Sequence, residues 1–367
     1  MAKMMQSNDG DTASRVRGGR PHTLSMADVA AVAGVSQQTV SRVINNLPNV
    51  SEKTRERVNK AVAELGFRPN YAGRSLRVGR YRSVGLCAND VTQIGNLSLL
   101  DGISAAARAR GYAITLIEMS KTESFSLAEA SRRMAELPVD GMVIAMSRMA
   151  PDFESFTPQA RMGTVLVSMY AHPRCTTVDS DHYGCSTLVM EHLFNYGHEQ
   201  IRYVAGPSFS IDNEFREAGW RDALVARGIE PVEPLRGDWS ANSGYEAGLK
   251  LADDRSMTAV YAANDQMAIG VIDALRDRGL RVPEDVSVVG IDDSLGSYRA
   301  HNNLTTVRFD LLSRGATVFE HAVPSEEEDQ NGIGSWNSDG TNAAGTDVKT
   351  IRIPGRLVER GTVVERR

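Results

Sequence analysis

The chain has 367 residues, 41% of them hydrophobic, and a formal net charge of −5. This length exceeds what one hydrophobic core usually supports, so we expect more than one domain. No apolar run reaches the roughly 18 residues of a membrane-spanning helix, and residues 1–22 lack the apolar core of a secretory signal. The three cysteines form no CxxC pair, which gives no sign of a disulfide framework or a thiolate zinc site and indicates a reducing cytoplasm.

Residues 25–46 have the helix boundaries of a helix-turn-helix. Ser25 is suited to cap the first helix, with Asp28 three residues later in the capping-box relation. Gly34 provides the permissive backbone that ends this helix, and Ser36 is placed to cap the next one. A solvated amphipathic helical hairpin is the alternative interpretation of this segment taken alone.

The second of these helices has an apolar face and a polar face. Val40, Val43 and Ile44 lie three and four residues apart in the sequence, as packing against the first helix requires. Glutamine bonds bidentately to adenine and arginine to guanine, so the polar face suits base reading in a major groove. The predicted DNA-binding residues of this helix and its ends are Ser36, Gln37, Gln38, Thr39, Ser41, Arg42 and Asn45.

A third helix and a basic segment follow. Ser51 is predicted to begin that helix and Gly66 to end it, and residues 67–86 then contain five arginines. Residues 1–80 hold 13 of the 41 basic residues but only 6 of the 46 acidic ones, so a basic head precedes an acidic body. This asymmetry favours an amino-terminal domain that neutralises DNA phosphates. We predict a disordered basic arm over 1–22, a DNA-binding domain over 23–68 and a hinge helix or linker over 69–81.

The remaining chain alternates strand and helix patterns, which predicts parallel sheets covered by helices in two doubly wound lobes. The predicted strands are 83–88, 113–119, 141–146 and 163–169, then 201–206, 258–264 and 286–292. The predicted helices are 99–110, 183–196, 214–227 and 267–278. Residues 325–348 are rich in Gly, Ser, Asn and acidic residues, so a flexible insertion is expected there.

Several of these motifs resemble the lactose-repressor (LacI) family of bacterial transcription regulators, and the match is closest to its sugar-responsive branch. The resemblance runs from about Thr23 to the end, apart from the insertion. The motifs that carry it are SQQTVSRVIN, AGRSL, the RxAGW pattern at 216–220, GDWSANSGY and ANDQMAIG. It implies a periplasmic-binding-protein-like α/β core whose chain crosses between lobes near Asp179, near Val307 and within the insertion. The N-terminal lobe would comprise 82–179 and 308–324, and the C-terminal lobe 180–307 and 349–361.

The resemblance also implies a function. The chain would be a cytoplasmic homodimer that binds double-stranded operator DNA of pseudopalindromic sequence and represses carbohydrate-utilisation genes. A small sugar in the interlobe cleft, with a galactoside as the first candidate, would release the DNA by allostery. Leu76, within the GRSL motif, would enter the minor groove from the hinge helix. The leucine-heptad tail that tetramerises the lactose repressor is missing, so a dimer is expected.

Polar residues at strand ends are candidates for the ligand site, because sites in open α/β sheets form at the carboxyl ends of strands. Asn264 and Asp292 have the amide and carboxylate groups that bind sugar hydroxyls, Trp239 offers an aromatic face, and Arg216 offers a forked donor. By resemblance, these four residues are the predicted effector contacts. For the neighbouring Asp265 and Asp293, helix capping and ligand contact both remain open.

Two positions depart from the lactose repressor. Its aspartate at the strand that ends near Val167 is Ser168 here, and a glutamine of that protein is Phe309. Both departures remove polar groups, so the hydroxyl pattern of the ligand need not be that of a lactose analogue.

Other functions were weighed against a sugar-responsive repressor. The chain contains no Walker loop, no GxGxxG after a strand, no HExxH and no GxSxG, so neither catalytic residues nor a cofactor or metal are expected. A sugar kinase that holds magnesium at Asp292 and Asp293, a periplasmic solute-binding protein and a purine-type corepressor-dependent regulator remain the alternatives.

Overall fold

The computed structural model describes residues 24–45, 47–67, 80–119, 126–160, 162–297, 301–323 and 348–366. It divides into two compact units, residues 1–79 and 80–367. The predicted basic arm, residues 69–79 of the hinge with Leu76, and residues 325–347 of the insertion lie outside the described residues. Among the helices that the structure describes, none has both the length and the apolar character to cross a bilayer.

The first unit contains three helices whose ends are set by local capping. They are α1 (Met26–Ala33), α2 (Gln37–Ile44) and α3 (Glu52–Leu65). The Ser36 hydroxyl accepts a hydrogen bond from the Thr39 amide at 3.1 Å, and this bond satisfies one of the free amides at the start of α2. Gly34 and Gly66 end α1 and α3 with φ of 62° and 60°, a conformation that glycine adopts without steric cost. The predicted helix-turn-helix and third helix are confirmed.

The head has a small core of its own. Val29 from α1, Val40 from α2 and Val58 from α3 are fully buried against one another. Phe67, just beyond α3, is also buried in this cluster. Complete burial of one such side chain contributes about 1.5–3 kcal/mol, so these few residues supply much of the stability of the head.

The first sheet of the second unit has six parallel strands in the order β11-β5-β4-β3-β1-β2. Every residue of β1, β3 and β4 is buried, as expected of strands covered by helices on both faces. Two helices of this lobe approach each other closely at Gly102, where a Cβ atom would lie 2.3 Å from the Leu311 carbonyl oxygen. The strands are β1 (Ser83–Ala88), β2 (Ala113–Glu118), β3 (Gly141–Ala145), β4 (Gly163–Val167), β5 (Thr176–Ser180) and β11 (Thr350–Ile353). The helices are α4 (Ile94–Ala109), α5 (Leu127–Ala135) and α10 (Leu311–Ala322).

The second sheet has four parallel strands in the order β7-β6-β8-β9. Its core includes Trp220, which is fully buried and stacks on Tyr203 with ring centroids 5.4 Å apart. The strands are β6 (Ile201–Ala205), β7 (Leu235–Arg236), β8 (Ala259–Ala262) and β9 (Ser287–Val289). The helices are α6 (His182–Asn195), α7 (Ile211–Val225), α8 (Ala241–Leu251) and α9 (Asp265–Asp277), and a 3₁₀ turn spans Ser294–Ser297.

The chain leaves the first lobe for the last time later than the sequence predicted. Residues 349–361 were placed in the C-terminal lobe, but β11 pairs in parallel with β5 and so extends the first sheet. The last crossing occurs at β12 (Gly355–Val358), which forms an antiparallel ribbon with β10 (Thr306–Phe309), and not within the insertion. The sequence pattern predicted a strand here. The sheet that this strand joins is determined by its pairing with β5, which lies some 170 positions earlier in the chain, so the local pattern could not identify it.

Candidate functional site

A cavity of about 270 Å³ lies between the two lobes, where the carboxyl ends of strands from both sheets meet. The four predicted effector contacts all line it, together with residues that the sequence did not single out. From the first lobe the lining includes Thr92, Gln93, Asn96, Ser147, Asp179 and Arg314. From the second it includes Ser210, Asp212, Arg216, Trp239, Asn264, Gln266 and Asp292.

Arg216 is the centre of the polar network in this cleft. It lies on α7 and is only 4% exposed. Its Nε and Nη2 groups donate to His182 Nδ1 at 3.3 and 3.2 Å, Nη1 donates to the Ala263 carbonyl, and Nη2 lies 3.4 Å from Asp292 Oδ1. Burial by itself lowers the pKa of Arg216, but Asp292, Asp212 and other neighbouring groups together raise that pKa above its usual value, so the guanidinium stays charged. This bonding fixes the plane of the guanidinium at the cavity wall.

Asp292 reaches the cleft from the end of β9 in a strained conformation. Its φ is 111°, which is rare for a residue with a side chain, and its amide donates to the Val307 carbonyl at 2.9 Å. Burial raises the pKa of Asp292, and Arg216 acts in the opposite direction. The backbone hydrogen bond to β10 joins this cavity-lining carboxylate to the crossing ribbon.

Asn264 lines the cleft, as predicted, and also caps a helix, a role that was not predicted from the sequence. Its Oδ1 accepts from the Met267 amide at 2.9 Å at the start of α9, and its Nδ2 donates to the Trp239 carbonyl at 2.9 Å. The Trp239 indole lies directly against Gly206, where a Cβ atom would come within 2.3 Å of the ring. Asn264 therefore holds the start of α9 and the Trp239 loop together at the cavity.

Asp265 and Asp293 do not line the cleft. Asp265 is fully buried and accepts from the Thr306 hydroxyl at 2.6 Å and the Ser294 amide at 2.8 Å. Burial raises the pKa of Asp265 to about 7. Asp293 forms ion pairs with Arg308 and, at 2.7 Å, with Arg360. These two carboxylates thus tie the second lobe to the crossing ribbon.

A second group of polar residues, missed in the sequence, lies on the floor of the cleft. His182 is 2% exposed, and its Nε2 lies 3.5 Å from Asp212 Oδ1 and 3.7 Å from Asp179 Oδ1. Arg314 Nη1 lies 3.3 Å from Asp179 Oδ1. Asp179 ends β5, so the strand-end rule would have found it if the polar sequence TTVDS had been recognised as a strand.

Asp179, His182 and Asp212 present ligand atoms within 4.8 Å of one another, a separation that a metal ion can bridge. The hydrogen bonds of the network favour another interpretation. Because Arg216 donates to His182 Nδ1, that nitrogen accepts and Nε2 carries the proton, so Nε2 has no lone pair for a metal. Burial raises the pKa of Asp179, but the neighbouring His182 and Arg314 outweigh it and hold the pKa below its usual value. The cluster is therefore built for hydrogen bonding.

The two departures noted in the sequence lie outside the cavity lining. Ser168 is fully buried, and its hydroxyl accepts from the Tyr170 amide at 3.1 Å. Phe309 is buried and packs edge-on against the His182 ring, with centroids 5.3 Å apart. Neither side chain offers a polar group to a ligand in the cleft.

Helix α2, which carries the predicted DNA-binding residues, keeps part of its polar face exposed. Gln37, Gln38 and Arg42 are exposed on the side opposite the buried Val40 and Val43. The other predicted residues are used locally: the Ser36 and Thr39 hydroxyls lie 2.9 Å apart, and Asn45 Nδ2 donates to the Ser41 carbonyl at 2.8 Å. Leu76 lies outside the described residues.

Both units match families of known proteins. A family described as bacterial regulatory proteins of the lacI family matches residues 25–70, and a periplasmic binding protein-like domain matches residues 190–363. The lactose operon repressor of Escherichia coli is 32% identical over 82% of this chain and 84% of its own length. The chain belongs to the LacI family. Another relative of this LacI-family protein, the transcriptional regulator CelR of Thermobifida fusca, is 33% identical over 78% of the chain and 87% of its own length.

Solved structures confirm the predicted fold class, a helix-turn-helix head followed by an α/β core. A crystal structure of the Lac repressor dimer bound to operator and the anti-inducer ONPF superposes with a TM-score of 0.75 at 28% identity, over 93% of this chain and 99% of that one. A complex of the regulator CelR with cellobiose superposes with a TM-score of 0.61 at 28% identity, over 94% and 100% of the two chains.

Proposed function

We propose that this LacI-family protein is a transcriptional repressor of carbohydrate-utilisation genes that binds a pseudopalindromic operator as a homodimer and is released by a small sugar. The observation that carries the proposal is the interlobe cavity at which Arg216, Trp239, Asn264 and Asp292 converge. Support comes from relatives described as an operator-bound repressor dimer and as a cellobiose complex.

The chemistry of these four side chains suits a carbohydrate. The carboxylate of Asp292 accepts hydrogen bonds from hydroxyl groups, and the amide of Asn264 both donates and accepts. The indole of Trp239, 5.6 Å from the Arg216 guanidinium, offers an apolar face for the C–H side of a pyranose ring. A galactoside remains the first candidate, and β-glucosides belong in the same test because of the cellobiose complex of the relative.

The proposed mechanism couples the cleft to the head. Residues 69–81 form a hinge helix on the operator, and Leu76 of each subunit enters the minor groove and kinks it. Sugar in the cleft favours a lobe arrangement in which the hinges cannot pair, so the head releases DNA. The protein acts by binding alone, without a catalytic step, at its operator in the cytoplasm. The coupling is reciprocal, since operator must weaken sugar binding by the same factor.

The test is selection of duplexes from fragmented genomic DNA by the purified full-length chain, followed by a gel shift with a panel of sugars. We expect enrichment of a two-fold symmetric site and its release by at least one sugar. No preference for any fragment over bulk genomic competitor, with or without the sugars, would contradict the proposal.

The hinge has its own test. Leu76→Ala should weaken operator binding and leave sugar binding unchanged, because the wedge contacts only DNA. Both affinities are measured on the same preparation. An equal loss of both would indicate misfolding and would remove the support for the wedge.

A further inference from the structure

Gln266, on the first turn of α9, has an acceptor atom that no residue in the described part of the chain satisfies. Its Oε1 is fully buried, and the residue lines the cleft. Its Nε2 donates to the Ser294 hydroxyl at 3.1 Å, and that hydroxyl lies 3.4 Å from an oxygen of Asp265, to which it donates. This order of donors fixes which end of the amide is the oxygen. A buried carbonyl oxygen without a donor is costly, so a ligand hydroxyl that reaches it would be favoured.

Asp212, in the first turn of α7, offers the cleft a carboxylate. Its side chain is 35% exposed, and among the described residues it accepts no hydrogen bond and forms one ion pair, the 3.5 Å approach of His182 Nε2. That separation is too long for a strong hydrogen bond, so most of the acceptor capacity of Asp212 is unused. Ser168, where the lactose repressor has an aspartate, is buried and bonded internally. Asp212 therefore provides a carboxylate in the cleft, whereas Ser168 at the end of β4 provides none.

Arg314 supplies an unmatched donor from the opposite lobe. Its Nη1 contacts Asp179 and the Ser180 hydroxyl, and its Nη2 donates to the Gly95 carbonyl at 3.3 Å. Its Nε is buried and has no hydrogen-bond partner in the ranges that the structure describes. The wall of the cleft thus holds unmatched acceptors on one lobe, the Asp212 carboxylate and the buried Gln266 oxygen, and a buried unmatched donor on the other. A hydroxyl group both donates and accepts, whereas an anion matches only the donor and a cation only the acceptors.

We infer that Asp212, Gln266 and Arg314 contact the effector directly, and that Asp212 and Gln266 determine which pattern of sugar hydroxyls the protein accepts. This inference rests on the proposed function and assigns to the same cleft a neutral, hydroxyl-rich ligand that touches both lobes. Asp212 and Gln266 accept from two different hydroxyls, and Arg314 donates to an oxygen from across the cleft. Such a ligand joins α7 and α9 of the second lobe to α10 of the first. Its affinity therefore depends on how the two lobes are arranged.

The test is a set of double-mutant cycles that pair protein variants with modified sugars. Neutral methyl glycosides of glucose and galactose, and cellobiose, are first titrated calorimetrically into the full-length chain. The tightest binder is then compared with its monodeoxy derivatives, each lacking one hydroxyl. For the wild type, we expect one monodeoxy derivative to lose about tenfold to a hundredfold in affinity through its lost bond to the Asp212 carboxylate.

The parent sugar should bind Asp212→Asn less tightly than it binds the wild type. The monodeoxy derivative that lacks the hydroxyl bonded to Asp212 should bind the variant and the wild type equally. Gln266→Leu should show the same coupling with a derivative that lacks a different hydroxyl. Asp273→Asn is the matched control, because Asp273 is exposed on α9 and does not line the cleft, and it should behave as wild type. Thermal unfolding of every variant, with Asp212→Ser as a second substitution, shows that each one folds.

Additive losses at all hydroxyl positions would overturn the assignment of Asp212 and Gln266. Tighter binding of glucose 6-phosphate or a uronate than of the neutral parent would overturn the ligand class. If no sugar binds the wild type while operator selection succeeds, the sugar effector itself is wrong and the inference falls with it, but the DNA-binding function stands.

Discussion

On α2 the outward-facing Gln37, Gln38 and Arg42 are exposed. Other residues hold this helix in place: Val40 and Val43 are buried against the core of the head, and the Ser36 hydroxyl caps the first turn. In the cleft, by contrast, the predicted effector contacts form hydrogen bonds to one another and to neighbouring residues. Arg216 alone contacts His182, Ala263 and Asp292, which come from three different elements. The head thus separates the residues that hold the fold from the predicted DNA contacts, whereas in the cleft the predicted effector contacts also hold the fold.

This difference predicts two kinds of mutant. Substitutions on the exposed face of α2 should remove DNA binding without a change in stability, because no internal contact is lost. Substitutions in the cleft should change stability and ligand response together, because buried partners are left unsatisfied.

Arg216→Ala should have the largest effect. Removal of a buried guanidinium leaves Asp292 and the Ala263 carbonyl without their donor, so the free energy of unfolding should fall by about 3–5 kcal/mol. Urea unfolding monitored by tryptophan fluorescence measures it. The control is Arg278→Ala, whose surface pair with Asp253 at 3.6 Å should contribute little. Equal, small losses in both variants would show that the cleft network is not structural.

Arg42→Ala should weaken operator binding by about 1–3 kcal/mol and relax the preference at one base pair. Its unfolding curve should match that of the wild type, since the guanidinium faces away from the core of the head. Binding to a set of operators with single base changes provides the measurement. Unchanged specificity would argue against base reading by this residue.

Asp292→Asn should reduce sugar affinity about tenfold, because one charge-assisted hydrogen bond becomes neutral. Operator affinity should be preserved, so induction is blunted and repression is kept. Titration of sugar into the operator complex checks both. Undiminished induction would show that Asp292 is not a ligand contact.

Asn264→Ala should have the smallest effect, and it removes two hydrogen bonds of one side chain: the cap of α9 and the bond to the Trp239 carbonyl. Loss of the cap of α9 should decrease stability by about 1 kcal/mol, and loss of the bond to Trp239 should weaken the sugar response. Asn264→Ser is the informative comparison, because serine also caps helices but is too short to hold the Trp239 carbonyl in the same way. If Asn264→Ser restores both stability and response, the bond to Trp239 has no functional role.

The same contrast explains what could be predicted from the sequence. The boundaries of α1 to α3 follow from Ser36, Gly34 and Gly66, and the buried strands β1, β3 and β4 follow from uninterrupted apolar runs. β5 was missed because TTVDS lacks such a run, and β11 was assigned to the wrong lobe. The four predicted effector contacts all line the cavity, and each of them lies in a recognisable sequence motif.

Other cleft residues became visible only in three dimensions. Arg314 and Asp179 are 135 positions apart in the chain, and no local pattern links them. Gln266 lies within the ANDQMAIG motif, but its unsatisfied oxygen is a property of the packing around it. Long-range convergence of this kind has no periodic signature in a single sequence.

The most direct test of the account is thermodynamic reciprocity between the two units. The dissociation constant of the selected operator is measured by fluorescence anisotropy with and without saturating sugar, and that of the sugar by calorimetry with and without saturating operator. We expect each ligand to weaken the binding of the other by the same factor, of about 5- to 150-fold. Operator affinity that does not change when the cleft is filled would contradict it.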